Sequence, residues 1–208
     1  DKCDVAETAQ IDDGGQIVFI NRHFIAFLRN FVELVSRVIR LGEGGQGVVD
    51  YKVSDDEKRM FGFGIGEYLN FGTPLSFPLR QSDELGPETY IAAIEFILSH
   101  EIVQRIEADK SGDRDLELDG FQDFCRLRGR EYRCDRKAVA LVLERRKGLE
   151  MPEMAFLGAA CALSAISWIE QFTPSYTPFS WEHPGSDSRV LRLHLEESLS
   201  WRAAGLEG

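Results

Sequence analysis

The residues of this chain whose types and spacing could support chemistry begin in the stretch HEIVQ, residues 100–104. In the pattern H-E-x-x-H, two histidines four positions apart share one face of a helix and bind a zinc ion, while the adjacent glutamate reaches the metal-bound water. His100 and Glu101 match the first two positions, but Gln104 stands where the second histidine belongs. An H-E pair alone is uninformative, since any exposed helix can carry one, so its meaning depends on the rest of the chain.

A second pair of candidate residues, Glu131 and Asp135, lies about thirty positions downstream. Because they are spaced four apart on a predicted helix, they share a face of that helix. Glu131 could supply a carboxylate ligand to zinc, and Asp135 could accept a hydrogen bond from the second ring nitrogen of His100 and so fix its tautomer. The alternative is that both are surface acids among neighbouring arginines, namely Arg130, Arg133 and Arg136.

A third motif, HPGSDSR at residues 183–189, follows near the carboxyl end. Taken in order, the H-E-x-x-Q, E-x-x-x-D and H-P-x-x-x-x-R motifs resemble those of the gluzincin zinc metallopeptidases. The most similar group is that of the HtpX heat-shock protease and the CAAX prenyl protease, together with the phage-exclusion Lit peptidase. The resemblance runs from about Gly15 to about Leu195 and is carried by the joint order of the three motifs.

This resemblance implies a zinc-dependent protein endopeptidase, a hydrolase that uses a metal-activated water. It implies His100 and Glu131 as zinc ligands, Glu101 as the general base and Asp135 as the outer partner of His100. Cys134 stands where the family often has alanine, so we expect a buried small residue there rather than a thiolate ligand.

The same resemblance places His183 and Arg189 near the substrate cleft, either as structural supports or as donors to the oxyanion. Gln104 is the departure from the pattern. A catalytic zinc site commonly keeps three protein ligands and one open position, and a neutral amide oxygen is a weaker zinc ligand than imidazole. We therefore expect weak zinc binding and little hydrolysis, whether the glutamine arose naturally or by design.

Two functions remain open at this point. One is a zinc endopeptidase whose site is impaired by Gln104, and the other is a catalytically inactive pseudoprotease that binds a protein partner. A weaker third possibility, nucleotide binding, rests on the G-x-G-x-x-G match at residues 42–47. That stretch follows a predicted helix and lacks downstream H-R-D and D-F-G partners, so a flexible surface loop is the better interpretation. An EF-hand in the acidic stretch 109–126 is excluded because arginine replaces a required glycine or glutamate in either register.

Composition narrows the class of partner. The chain has 208 residues, of which 43% are apolar and 28% charged, with a net charge of −11. Such a charge disfavours nucleic acid and anionic membranes as partners. The protein or peptide substrate is what the metallopeptidase resemblance implies. Four widely spaced cysteines without a C-x-x-C pair favour a reducing cytoplasm. The uncharged run 154–169 is shorter than the ~20 residues that span a bilayer, so it predicts a buried helix.

The predicted architecture is an α+β, mainly helical, zincin-like metallopeptidase domain with a small β-sheet. We expect a polar leader over residues 1–14 and a single domain over residues 15–208. Within that domain the residue patterns predict a strand over 16–20 and five helices. The helices are expected over about 24–41, 87–109 and 130–147 with Gly148 as its stop, followed by an apolar helix opened by Pro152 and a last amphipathic helix. One or two strands are expected from Phe61, and the glycine-rich segment 61–72 is the candidate edge to which an extended substrate could add.

Overall fold

A computed structural model of the chain describes residues 6–10, 15–41, 47–49, 59, 85–111, 121–148, 154–172 and 185–203. This part of the chain is mainly helical, as expected. Its helices are α1 (Arg22–Val38), α2 (Leu85–Ser111), α3 (Phe121–Arg145), α4 (Met154–Phe172) and α5 (Ser186–Ala203). Its strands are β1 (Ala6–Gln10), β2 (Gln16–Ile20), β3 (Ile39–Leu41) and β4 (Gly47–Val49).

The strands form two separate antiparallel pairs. Strand β1 pairs with β2 in a register that sets Ala6 opposite Ile20 and Gln10 opposite Gln16. The prediction of β2 is confirmed, whereas β1 was not predicted, because AETAQ is polar and resembles a leader. The supposed leader therefore contributes a strand.

Helix α1 begins and ends at identifiable signals. The side-chain oxygen of Asn21 accepts hydrogen bonds from the backbone N–H groups of His23 and Phe24, at 2.9 and 3.4 Å, and so caps the helix. The apolar periodicity is confirmed by the buried residues of this helix: Phe24, Phe27, Leu28, Phe31 and Val32.

The predicted end of α1 near Gly42 is wrong. The helix stops at Val38, and Ile39–Leu41 forms β3, which pairs with β4 so that Ile39 lies opposite Val49. A segment in which apolar residues, among them the β-branched Ile39, alternate with Arg40 suits a strand as well as a helix. The glycine-rich stretch therefore follows a strand, which removes one of the two arguments against a phosphate loop. The missing catalytic partners still argue against it. Residues 42–46 lie outside the described part of the chain.

Helix α2 packs closely on α4 through small residues. A Cβ placed on Gly158 would lie 2.6 Å from the carbonyl carbon and the Cβ of Ala92, so the two helices meet at a contact that only glycine permits. On α2, Ile97 is buried but Ile91 is 45% exposed. The small residues Ala92 and Ala93, rather than this larger isoleucine, form the face that approaches α4.

Helix α3 runs antiparallel to α2 and is fixed to it at one end by a buried cation. The guanidinium of Arg146 bonds to Glu95 at 2.8 Å and to Glu88 at 3.2 Å. The chain then turns at Gly148, whose φ of 93° confirms it as the stop of this helix. The predicted start at Arg130 is wrong, since α3 begins at Phe121. This pairing sets the middle of α3 beside residues 100–104 of α2.

Helix α4 confirms the prediction that the apolar run is a buried helix, and among the described residues no helix is long and apolar enough to cross a membrane. Helix α5 confirms the last predicted helix. The strands predicted from Phe61, including the candidate edge 61–72, lie outside the described residues.

Candidate functional site

The structure brings together residues from all three sequence motifs. His100 and Gln104 lie one turn apart on α2, Glu131 and Asp135 lie one turn apart on α3, and Arg189 lies in the first turn of α5. His100, Glu131, Asp135 and Arg189 are buried, with 7%, 1%, 1% and 9% of their surfaces exposed. Charged residues are rarely buried unless they are paired, so this cluster is a built feature of the fold.

The ring of His100 lies between the two carboxylates of α3. Its Nδ1 is 3.0 Å from Oδ1 of Asp135, and its Nε2 is 3.4 Å from Oε2 of Glu131. The two acids four residues apart on α3 therefore contact opposite edges of one imidazole. The interpretation of Glu131 and Asp135 as surface acids is wrong, because both are almost fully buried.

Arg189 neutralises the carboxylate of Asp135. Its Nε donates to Oδ2 of Asp135 at 2.8 Å and its Nη2 donates to Oδ1 at 2.6 Å, which is a bidentate pair. The same Nη2 lies 3.4 Å from Nδ1 of His100 and 3.8 Å from Oε2 of Glu131. The guanidinium thus orients Asp135, which in turn orients His100.

Gln104 contacts the carboxylate of Glu131, which also faces His100. Its side-chain nitrogen donates a hydrogen bond of 2.9 Å to Oε1 of Glu131. From the position at which a second histidine would bind a metal, the Gln104 side chain is therefore directed at Glu131. Its amide satisfies one oxygen of Glu131 while His100 faces the other.

Protonation within the cluster follows from these contacts. Burial alone would lower the pKa of His100, but the hydrogen bonds to Asp135 and Glu131 outweigh it and raise that pKa to about 9. Burial would raise the pKa of Asp135, but the hydrogen bonds from Arg189 and His100 outweigh it and hold that pKa below its usual range. In the absence of a metal, His100 is therefore protonated and Asp135 ionised at neutral pH, so that the imidazolium and the guanidinium of Arg189 both face the Asp135 carboxylate.

Cys134 lies beside the cluster without taking part in it. The thiol is fully buried, and burial, with a further contribution from the charge of Glu131, raises its pKa to about 12. A thiol with that pKa is protonated at neutral pH and is a poor metal ligand. The expectation of a buried small residue at this position is confirmed.

Of the three zinc ligands expected from the sequence, His100 and Glu131 have donor atoms at a suitable spacing, whereas Gln104 does not. Two atoms bound about 2.1 Å from a tetrahedral zinc are about 3.4 Å apart, which matches the observed 3.4 Å between His100 Nε2 and Glu131 Oε2. The third donor would be the amide of Gln104, whose nitrogen is directed at Glu131. Among the described residues no group of three or more histidines, cysteines, aspartates and glutamates is arranged to hold a metal ion. Two of the three donors expected from the sequence are thus spaced as zinc ligands would be, and the third is not.

Two further residues, Glu101 and His183, were predicted for the site. Glu101 is half-buried on α2, next to His100. His183 lies outside the described residues. Sequence reasoning did not foresee the hydrogen bond from Gln104 to Glu131, although their counterparts in the metallopeptidase pattern bind one metal and so must be close. It also placed Arg189 near the cleft without identifying its bidentate contact with Asp135.

A half-open cavity of about 310 Å³ lies elsewhere, at the start of α2, where Pro87 and Tyr90 form part of its wall. Tyr90 precedes His100 by ten residues, or about 15 Å along a helix. The cavity is thus separate from the polar cluster.

Comparisons of the chain with protein-family models, with curated proteins and with solved structures find no match.

Proposed function

We propose that this chain is a gluzincin-like zinc metallopeptidase domain, acting on protein or peptide substrates in the cytoplasm, whose site is impaired by Gln104. The observation that carries the proposal is the position of His100 between Glu131 and Asp135. These residues come from helices separated along the chain, and the metallopeptidase motifs require this arrangement of them. A chance pair of surface acids would not be buried against an H-E histidine.

Each residue has a role in the proposed reaction. His100 Nε2 and Glu131 would hold the metal, and Asp135, fixed by Arg189, would keep the proton of His100 on Nδ1. Zinc, when bound, supplies a water whose pKa is lowered to about 7. Glu101 would take the proton of the attacking water and return it to the amine of the leaving peptide.

Zinc binding would be impaired for two reasons: the site has too few strong ligands, and Gln104 competes with the metal for Glu131. Imidazole is a stronger zinc ligand than an amide oxygen, so replacing histidine by glutamine leaves two strong ligands. The Gln104 amide also donates to Glu131, and this hydrogen bond must be broken or rearranged before that carboxylate can bind a metal through both oxygens.

The proposal is tested by restoring the motif. We expect the Gln104→His variant, supplied with zinc, to cleave an unfolded protein substrate such as casein, and a chelator to abolish the cleavage. The matched control is the double variant Gln104→His with Glu101→Gln, which keeps the metal ligands and removes the base. It should bind zinc but cleave at least a hundredfold more slowly. If Gln104→His folds but neither binds zinc nor cleaves, the proposal is wrong.

A second function, a catalytically inactive pseudoprotease that binds a protein partner, is favoured by one observation. Every carboxylate oxygen of Glu131 and Asp135 already lies near a donor of the protein itself, from Gln104, His100 or Arg189. Such a cluster has a donor for each carboxylate oxygen without a metal. If this is the function, the affinity of a partner complex will be unchanged when zinc or a chelator is added, and Gln104→His will leave that affinity unaltered.

A further inference from the structure

We propose that the outer face of α3, defined by Arg130, Arg133 and Arg136 and called here the arginine face, is a docking surface for a short acidic segment of a partner protein. This proposal goes beyond the metallopeptidase assignment. It stands whether or not the buried cluster binds zinc, because the arginine face and the cluster lie on different sides of the helix.

The three arginines have no ionic partner among the residues that the structure describes, although the chain has an excess of acids. The sequence has 35 acidic residues against 24 lysines and arginines. Arg133 and Arg136 are exposed and Arg130 is half-buried, and none of the three makes an ion pair or hydrogen bond with any residue that the structure describes.

Neighbouring cations on the same helix and just beyond it behave differently. Lys137 is 2.7 Å from Glu107, Arg145 is 3.2 Å from Glu95, and Arg146 pairs with Glu95 at 2.8 Å. Acids of α2 thus neutralise the side of α3 that faces that helix. Within the part of the chain that the structure describes, no acid is paired with the arginine face in this way.

Arg130 is the least exposed of the three arginines. Its Nε is shielded from solvent and has no acceptor among the described residues. A buried donor without a partner is unfavourable by about 1–3 kcal/mol, so the guanidinium is incompletely solvated in the free protein. A carboxylate that approaches it displaces less water than at a fully exposed arginine, and charge interactions are stronger where solvent is partly excluded.

The dimensions of the arginine face select the ligand. Arg130 and Arg136 are six residues apart, or about 9 Å along a helix. An extended peptide rises about 3.3 Å per residue, so the face matches about three consecutive residues. Guanidinium groups bind carboxylates in a planar, bidentate manner. The ligand of best fit is therefore a run of two to four aspartates or glutamates.

Charge complementarity also distinguishes this ligand from a polynucleotide. A nucleic acid long enough to bind stably extends beyond a strip of about 9 Å and meets the rest of a chain whose net charge is −11. A short acidic run is confined to the basic strip, within the ~8 Å over which charges act at physiological salt. A partner held there would lie within one helix diameter, about 10 Å, of Glu131 and Asp135 on the inner side.

The test is a binding titration with a fluorescein-labelled peptide that carries four consecutive glutamates between glycine–serine flanks, using the full chain. Arg133→Ala with Arg136→Ala is expected to weaken binding at least tenfold. The matched control, Arg29→Ala with Lys147→Ala, removes two exposed positive charges elsewhere and is expected to change affinity less than twofold. A photoreactive residue in the peptide should crosslink to residues 126–141.

Three outcomes would overturn the proposal. They are no binding of the peptide by the wild-type chain at 50 mM salt, equal weakening in both double variants, and tighter binding of an oligothymidylate of equal charge than of the peptide. None of these results depends on zinc. Since the proposed metal site is judged by the metal content and proteolysis of Gln104→His, failure of one proposal leaves the other unaffected.

Discussion

At the level of single residues, the buried pair Asp135 and Arg189 determines how the cluster is held. Two hydrogen bonds of 2.8 and 2.6 Å join them, and both side chains are nearly inaccessible to solvent. Removing one member of such a pair leaves the other charge buried without compensation, which costs about 3–5 kcal/mol. The pair thus ties α5 to α3 and at the same time sets the orientation of His100.

We therefore expect Asp135→Asn to lower the free energy of unfolding by about 3–5 kcal/mol, measured by urea denaturation. The matched control on the same helix is Lys137→Gln, which breaks a half-exposed pair with Glu107. Such pairs contribute at most about 1 kcal/mol. Equal losses in the two variants would contradict the account of a buried ion pair at this position.

His100 leads to a prediction about pH for the metal-free protein. Its pKa in the folded state is about 9, against about 6.5 in an unfolded chain. A raised pKa stabilises the protein fully below pH ~6.5, and that contribution is lost as the pH rises through about 9. The free energy of unfolding, measured with a chelator present, should fall by on the order of 3 kcal/mol between pH 6 and pH 9.5.

The control for this pH dependence is His100→Asn, which lacks the titrating ring. Its free energy of unfolding should be lower than that of the wild type at pH 6 and should change much less between pH 6 and pH 9.5. Cys134 and Cys161, whose pKa values are raised to about 12 by burial, do not titrate in this window. An equally steep decline in His100→Asn would contradict the assignment.

At the level of secondary-structure elements, the close contact of α2 with α4 supports the placement of His100. The backbone of Ala92 leaves no space for a side chain at residue 158. Gly158→Ala should therefore destabilise the protein, by about 1–3 kcal/mol as is typical of overpacking. Thermal or urea unfolding measures the effect.

Gly129 on α3 is the control for that substitution. The nearest heavy atom to a Cβ at this position is the flexible end of Arg133, at 3.4 Å. Gly129→Ala should be neutral or stabilising by up to about 1 kcal/mol, because alanine favours the helix. If both substitutions prove neutral, the helices do not approach as closely as described.

The elements differ in how far the sequence predicts them. The five helices follow from their apolar patterns, and β2 follows from its β-branched and aromatic residues, IVFI. The bounds of α1 and α3 do not follow, because Ile39 suits a strand as well as a helix and the charged start of α3 hides its periodicity. Strand β1 was not predicted because its residues have little intrinsic preference for a strand and it is stabilised by pairing with β2.

At the level of the whole molecule, the candidate site depends on the relative placement of α2, α3 and α5. Spacing within one helix predicts that His100 and Gln104 share a face, and that Glu131 and Asp135 do. It does not predict that the two faces meet, because that depends on tertiary packing and on anchors such as Arg146. The motif resemblance supplied this expectation, and the structure brings the same residues together.

From the sequence, the residues of the arginine face were noted only as charged neighbours of Glu131 and Asp135. Periodicity shows that Arg133 and Arg136 lie on a different side of α3 from those acids. That these arginines have no ionic partner among the described residues could not be read from the sequence, since any of the many acids of this chain could have paired with them. Ion pairing between helices is a long-range property that local patterns do not contain.

The central claim, that this fold contains a zinc site lacking one ligand, is tested most directly by metal content. Wild type, Gln104→His and Gln104→His with Glu131→Gln should be equilibrated with equimolar zinc, freed of loosely bound metal and analysed by mass spectrometry. We predict a ratio near one zinc per chain for Gln104→His, and ratios well below one for the wild type and the double variant. A folded Gln104→His protein that retains no more zinc than the wild type would contradict the account.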